Sequence, residues 1–145
     1  MPVLAENRHA LFDYEILEKW EAGLVLTGQE VKAARGGLIN LKGAYVTVQQ
    51  GVPWLINAHI SPYKKATGLK DYEPTRSRRL LLRQKEITAL LGLIKQKGLT
   101  VVPLKVYTKH NLIKIEIGLG RGRKKYNKRE LLKKRDIERE LRKGL

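Results

Sequence analysis

The stretch LTVVPLKVYTKHNLIKIEIGL, residues 99–119, decides the fold. Its arms, 99–107 and 112–119, are rich in β-branched and aromatic residues, and Thr108-Lys109-His110-Asn111 separates them. Two such runs joined by a short polar connection predict a β-hairpin. Pro103 has no N–H to offer a ladder and belongs at a bulge or an edge. Upstream, 44–49 (AYVTVQ) and 54–60 (WLINAHI) flank Gln50-Gly51 and predict a second hairpin. By alternation Trp54, Ile56, Ala58 and Ile60 share one face of the return arm. Asn57 and His59 lie on the more polar face, toward solvent or a ligand. Within 14–26 (YEILEKWEAGLVL), Tyr14, Ile16, Trp20, Ala22, Leu24 and Leu26 recur at even positions, the mark of a strand with one buried face. Gly23 and Val25 suggest a bend or bulge there.

Short helices punctuate these strands. Thr27-Gly28-Gln29-Glu30 matches a capping box, and the helix it opens stops at Gly36-Gly37. Asn40 to Gly43 reads as a polar turn. In 84–97, Ile87, Leu90, Leu91 and Ile94 fall at i, i+3, i+4 and i+7, and Gly98 closes this helix. Segment 76–83 (RSRRLLLR) predicts a short strand with a charged entrance, preceded by an irregular basic loop at 61–75 that carries Lys64, Lys65 and Lys70. The first 13 residues read as a short arm. Five or six antiparallel strands with two or three short helices predict a mainly β, α+β architecture built on a small closed or partly open barrel.

The 145 residues carry 30 Lys and Arg against 14 Asp and Glu, a net charge of +16. Twelve of the basic residues and four of the acidic ones fall within 120–145, so this tail alone holds +8. Charge this dense repels itself and meets either a polyanion or water. One domain over 1–119 with a basic tail at 120–145 follows. The tail can become helical on a charged template from about Asn127 and is expected to be disordered when free. There is no cysteine, which excludes disulfides and thiolate metal sites. Neither a signal-peptide core nor a run of ~18 apolar residues occurs, so a cytoplasmic protein with nucleic acid as partner is expected.

Catalytic spacings are missing. His9, His59 and His110 are isolated, with no paired-carboxylate signature and no glycine-rich phosphate loop after a strand. Gly118-x-Gly120-x-Gly122 follows the last strand and runs into lysines and arginines, so the glycines read as a hinge. No catalytic residue, metal or cofactor is expected. Tyr126, between Lys125 and Lys128, suits stacking in a phosphate-rich channel or packing of the tail root on the barrel.

Together these residues resemble the small protein B family, the bacterial tmRNA-binding proteins of trans-translation. The matching motifs are Asn7-Arg8, Asp13-Tyr14-Glu15-Ile16, Glu21-Ala22-Gly23, Gly28-x-Glu30-Val31-Lys32 with Arg35, and Asn40-Leu41. They continue through Asn57-Ala58-His59-Ile60-Ser61-Pro62-Tyr63, Pro74-x-Arg76-x-Arg78-Arg79-Leu80-Leu81-Leu82, Leu99-Thr100-Val101-Val102-Pro103-Leu104 and Gly122-Arg123-Lys124-Lys125-Tyr126-Asn127-Lys128-Arg129.

The resemblance implies an oligonucleotide-binding-like barrel that binds the tRNA-like domain of tmRNA. It also implies an adaptor that accompanies alanyl-tmRNA, with elongation factor Tu, to stalled 70S ribosomes as a monomer. There the barrel replaces an anticodon arm, and the tail enters the empty mRNA channel against small-subunit rRNA. Carried over by position, Asn7, Arg8, Glu21, Glu30, Lys32, Arg35, Asn40 and Leu81 are the tmRNA-binding candidates. Arg121, Arg123, Lys124, Lys125, Tyr126, Lys128, Arg129 and Ile137 are the ribosome contacts. Glu30 is equally explained as a capping residue and Leu81 as core. Phe12, Gln29, Arg83 and Asn127 depart from the residues common in that family. The same charge and architecture also suit a structural protein embedded in ribosomal RNA, and an enzyme acting on RNA is the third reading.

Overall fold

The computed structural model describes residues 2–63 and 71–122. Two long strands organise it, β8 (Leu99–Lys109) and β9 (Leu112–Gly122), joined as the hairpin expected from the 99–119 pattern. The turn is tighter than the four polar residues suggest. Only His110 and Asn111 lie between the strands, both at positive φ (52° and 62°), the conformation of two-residue hairpin turns. The register shifts between Pro103 and Lys105, so the proline stands at a bulge.

Before this hairpin come β1 (Val3–Glu6), α1 (Arg8–Asp13), β2 (Tyr14–Leu24), α2 (Gly28–Arg35), β3 (Ile39–Asn40), β4 (Tyr45–Gln49), β5 (Val52–Ile56), β6 (His59–Ile60), β7 (Arg78–Leu81) and α3 (Gln84–Ile94). The N-terminal arm is therefore a strand and a helix: β1 pairs with residues 105–107 of β8, which gives the arm a ladder to lie on. The main sheet runs β1-β8-β4-β5-β7-β2-β9, and β9 pairs back onto β8. It closes into a barrel-like ring of β4, β5, β7, β2, β9 and β8. The closure is thinnest where β4 meets β8, at the single pair Val46 and Val101. β3 and β6 form a separate two-stranded sheet.

Alternation places most of the interior. Leu55, Ile60, Leu80, Leu90, Val106, Ile115 and Ile117 are all at or below 1% exposure, and burial of each side chain of this size contributes ~1.5–3 kcal/mol. Two departures from simple alternation have physical causes. In β2 the even residues do not share one face. The register shifts between Ile16 and Glu18, so Tyr14 and Ile16 pack with Ala10, Val102 and Leu104, whereas Trp20, Ala22 and Leu24 join the main core. In the arm 54–60, Asn57 has φ 64° and breaks the strand into β5 and β6. Parity changes across that break, so Leu55 is buried while Trp54 and Ile56 are only half-buried. Ala58 and Ile60 remain in the core, with Asn57 and His59 exposed as expected.

The glycines near the end of β9 are not a hinge. The strand runs through Gly122, two residues past Gly120, pairing Gly120 with Ile16 and Arg121 with Glu15. A Cβ on Gly120 would stand 2.8 Å from Cβ of Tyr14, and one on Gly118 2.8 Å from Cδ1 of Leu104. Both positions let neighbouring side chains close over the strand.

Candidate nucleic-acid interface

Glu30 stands at the third position of α2, where its Oε1 accepts from the Thr27 amide at 3.0 Å and Thr27 Oγ1 accepts from the Glu30 amide at 3.3 Å. The capping box is present as expected, yet it uses only part of this carboxylate. Glu30 is wholly buried, with Arg78 beside it wholly buried too. Arg78 donates to Oε2 through Nη2 at 2.7 Å and Nε at 3.0 Å, and Arg76 donates to the same Oε2 through Nε at 3.1 Å and to Oε1 through Nη2. The remaining Arg78 donors reach the carbonyls of Ala58 (2.5 Å) and Pro74 (2.8 Å). Tyr72 accepts from Arg78 and donates to the Ile60 carbonyl at 2.8 Å.

Burial alone would raise the carboxyl pKa. The hydrogen bonds from Arg76, the Thr27 amide and Arg78 outweigh that effect and lower it to about 2. An ion pair this enclosed ties α2, β6 and the start of β7 together. The basic entrance of β7 is thus partly interior: Arg78 points inward and Arg79 outward, by the alternation of the strand.

Asn7 is a second buried polar residue, 4% exposed. It caps α1 by accepting from the Ala10 amide at 3.2 Å and donates to the carbonyls of Pro103 (2.9 Å) and Leu41 (3.3 Å). Both Asn7 and Glu30 have their polar atoms committed inside the fold.

Glu21 and Leu81 sit differently. Both line a depression of about 350 Å3 with Gly23, Leu82, Arg83, Glu86 and Lys114. Gly23 brings β2 and β7 close: it pairs with Leu81, and a Cβ there would lie 3.1 Å from Cβ of Leu81. Leu80 fills the core while Leu81, next in the strand, is 54% exposed, which makes it surface and not core. The Tyr107 hydroxyl donates to Glu21 Oε2, and Lys109 Nζ lies 3.2 Å from Oε1. The bond from Tyr107, aided by Lys109, holds the Glu21 carboxyl below its ordinary pKa. Burial and this same bond push the Tyr107 phenol up.

A second depression, of about 210 Å3, continues past Leu81 to Val31, Asn111 and the exposed Leu112. Arg35 Nη2 donates to the Asn111 carbonyl at 3.1 Å and ties α2 to this hairpin turn. Lys32 is exposed, with Nζ 5.9 Å from the Tyr63 ring centre. Arg8 is exposed, 3.8 Å from Glu6, and Asn40 is exposed with Oδ1 accepting from the Lys42 amide at 2.9 Å. Arg121 is exposed at the end of β9. Arg123, Lys124, Lys125, Tyr126, Lys128, Arg129 and Ile137 lie outside the described residues, as do Lys64, Lys65 and Lys70 of the basic loop. No group of three or more metal-ligating side chains occurs among the described residues, and no helix among them is long and apolar enough to cross a membrane.

The family model for SmpB protein matches residues 4–145. This chain belongs to the SmpB family. An SsrA-binding protein from Sulfurihydrogenibium sp. is 52% identical over 142 residues, 98% of this chain and 93% of that protein. The SsrA-binding protein of Gloeothece citriformis is 50% identical over 143 residues, 99% of this chain and 92% of that one. A solved structure described as "tmRNA-SmpB: a journey to the center of the bacterial ribosome" aligns with TM-score 0.71 and 44% identity over 86% of this chain and 87% of that one. The mainly antiparallel sheet with short helices expected from the resemblance is the fold of this SmpB-family chain, closed into a barrel-like ring. Sequence reasoning overlooked Tyr107, Lys109 and Lys114, which reach Glu21 or its depression only once β8 and β9 fold back beside β2. It also read Arg78 only as part of a charged strand entrance, without placing it inside. Its position one residue from Arg79 in an alternating strand was the available signal.

Proposed function

We propose that the chain is a tmRNA-binding adaptor that delivers alanyl-tmRNA to stalled ribosomes for trans-translation. The observation that carries this reading is the match, at 44% identity and along 86% of the chain, to an SmpB structure described with tmRNA and the bacterial ribosome. The barrel binds the tRNA-like domain through the Glu21–Leu81 depression, with Lys32, Arg35, Arg8 and Asn40 adding polar and cationic contacts around it. Lysine and arginine at phosphates supply affinity without sequence preference, and apolar or polar contacts at unpaired bases supply discrimination. Asn7 and Glu30 act behind the surface: Asn7 sets α1 and Glu30 sets α2 and β7. The tail from Arg121 through Lys124, Tyr126 and Arg129 to Ile137 probes the empty mRNA channel. The protein itself performs no catalysis, and its place of action is the cytoplasm.

The test is affinity purification of the full-length protein. One abundant small RNA should co-purify, and the protein should be substoichiometric in salt-washed ribosomes. Stoichiometry equal to that of ribosomal proteins would favour the embedded rRNA-binding alternative. Truncation after Gly122, where the β9 ladder ends, should retain tmRNA affinity and abolish tagging of stalled peptides. Loss of tmRNA affinity on truncation would refute the division of labour.

A further inference from the structure

The end of β9 is enclosed on both faces. Ile117 and Leu119 belong to the main core. By alternation Gly118 and Gly120 lie on the opposite face, and both are buried as well. What covers them is a second, smaller cluster, in which Tyr14 and Ile16 pack with Ala10, Val102 and Leu104. A Cβ on Gly118 would stand 2.8 Å from Cδ1 of Leu104 and 3.1 Å from Cγ2 of Ile16, and one on Gly120 2.8 Å from Cβ and 3.0 Å from Cγ of Tyr14. At Gly122 nothing lies within 4 Å. Tyr14 is therefore the last side chain over this face before the strand ends and the basic sequence continues from Arg123.

The terminal residues of a domain fray unless something ties them down, and glycine inside a strand weakens it by leaving no side chain to pack. Both effects act against order in 118–122, and the fold opposes both. The ladder holds each edge of β9 nearly to its end: Gly120 pairs with Ile16 and Thr100, and Arg121 with Glu15 and Leu99. Tyr14 is itself fixed, since its amide donates to the Ala10 carbonyl and closes α1, whose cap Asn7 donates to the Pro103 and Leu41 carbonyls. Glycine at 120 is what lets the Tyr14 side chain close on the strand. Gly23 of the Glu21–Leu81 depression lies toward the other end of β2, ~30 Å away at ~3.4 Å per residue. The contact between Tyr14 and Gly120 thus lies far from that depression and beside the origin of the tail.

We propose that Tyr14 is a positioning residue for the basic tail: packed on Gly120, it clamps the last residues of β9 and aims the chain that follows. This rests on the tail half of the adaptor reading and deepens it. A tether with a fixed origin and direction concentrates what it carries in one region of space, and a loosened tether spreads it. The ring acts by contact, so its hydroxyl is dispensable.

The chain has no cysteine, so two engineered ones report a single distance. Gly122→Cys, where a Cβ meets nothing, and the exposed Ala89→Cys on α3 carry nitroxide labels in the full-length protein. Pulsed electron paramagnetic resonance should give a narrow distance distribution with Tyr14 in place and with Tyr14→Phe, and a broad one with Tyr14→Ala. Unlabelled proteins are then compared in a purified translation system stalled on a message without a stop codon. Tyr14→Ala should lower the tagging rate about fivefold or more, through the lower effective concentration of the tail in the channel. Its affinity for a transcript of the tRNA-like domain of tmRNA should stay at wild type. Tyr14→Phe should tag normally. Leu55→Ala, a truncation in the main core, is the stability control: below its melting transition it should keep both the narrow distribution and normal tagging.

An unchanged distribution in Tyr14→Ala would overturn the clamp. A broadened distribution with normal tagging would overturn positioning, as would an equal tagging loss in Leu55→Ala. Loss of tagging in Tyr14→Phe would assign the role to the hydroxyl and overturn the packing argument. If melts show Tyr14→Ala to be unfolded, Tyr14→Leu takes its place under the same criteria. Intact tagging after truncation at Gly122 would sink the tail reading itself, which the distance measurement, independent of tagging, distinguishes from failure of the clamp.

Discussion

Two glutamates of this basic chain, nine residues apart, live in opposite environments. Glu30 is enclosed by Arg76, Arg78 and Thr27 and has no exposed surface. Glu21 is oriented by Tyr107 and Lys109 yet keeps 39% of its side chain in solvent. Both lie in motifs shared with the small protein B family, and both receive hydrogen bonds from cations. Motif membership therefore does not separate a residue enclosed by the fold from one left at its surface. Burial does: Glu30 is fully enclosed, and Glu21 stays part-exposed beside the exposed Leu81.

The sharpest way to break this contrast is Glu30→Ala. Removing one partner of a buried charge network leaves Arg78 uncompensated, which typically costs about 3–5 kcal/mol. Thermal denaturation should show the midpoint lowered by roughly 10 °C or more. An unchanged midpoint would show that the network is dispensable.

Acid gives the next largest effect. The folded Glu30 carboxyl has a pKa of about 2, below its ordinary 4.5, so the unfolded chain binds this proton more readily. The stabilisation is fully present above about pH 4.5 and is lost as pH falls toward 2, about 3 kcal/mol over that window. Urea unfolding at pH 5 and pH 3 should register the fall, and Glu30→Gln should flatten that part of the slope. Equal slopes in both proteins would remove Glu30 as the cause.

Gly120→Ala should follow at about 1–3 kcal/mol, because its new Cβ meets Tyr14 at 2.8 Å and a packed strand relaxes only partly. A hinge glycine would tolerate that change, so an unaltered midpoint would restore the hinge reading. Smallest on the stability scale is Leu81→Ala, expected within about 1 kcal/mol because the side chain is 54% exposed. Its tmRNA affinity should fall by about tenfold, measured by filter binding. A large stability loss with normal affinity would return Leu81 to the core.

Much of the fold was legible in local pattern. The 99–119 hairpin, the bulge at Pro103, the capping box at Thr27 and the buried Ile87 and Leu90 of α3 all follow from preferences that act over a few residues, whereas Leu91, expected on the same face, is 37% exposed. What misled alternation were single residues that reset it. Asn57 at positive φ turned Leu55 inward, and the irregularity between Ile16 and Glu18 sent Tyr14 and Ile16 to a different cluster from Ala22. The N-terminal arm escaped notice because four residues make a strand only when β8 offers them an edge.

By itself, then, the chain of amino acids determined its β-rich class, the capped start of α2, its charge and the family to which it belongs, since these depend on residue type and short spacing. Tertiary structure alone decided which polar residues are satisfied inside and which stay available. Glu30 meets Arg78 across 48 positions and Glu21 meets Tyr107 across 86. Contacts at that separation exist only after the ring closes, because burial and partner geometry are properties of the closed sheet and not of any segment within it.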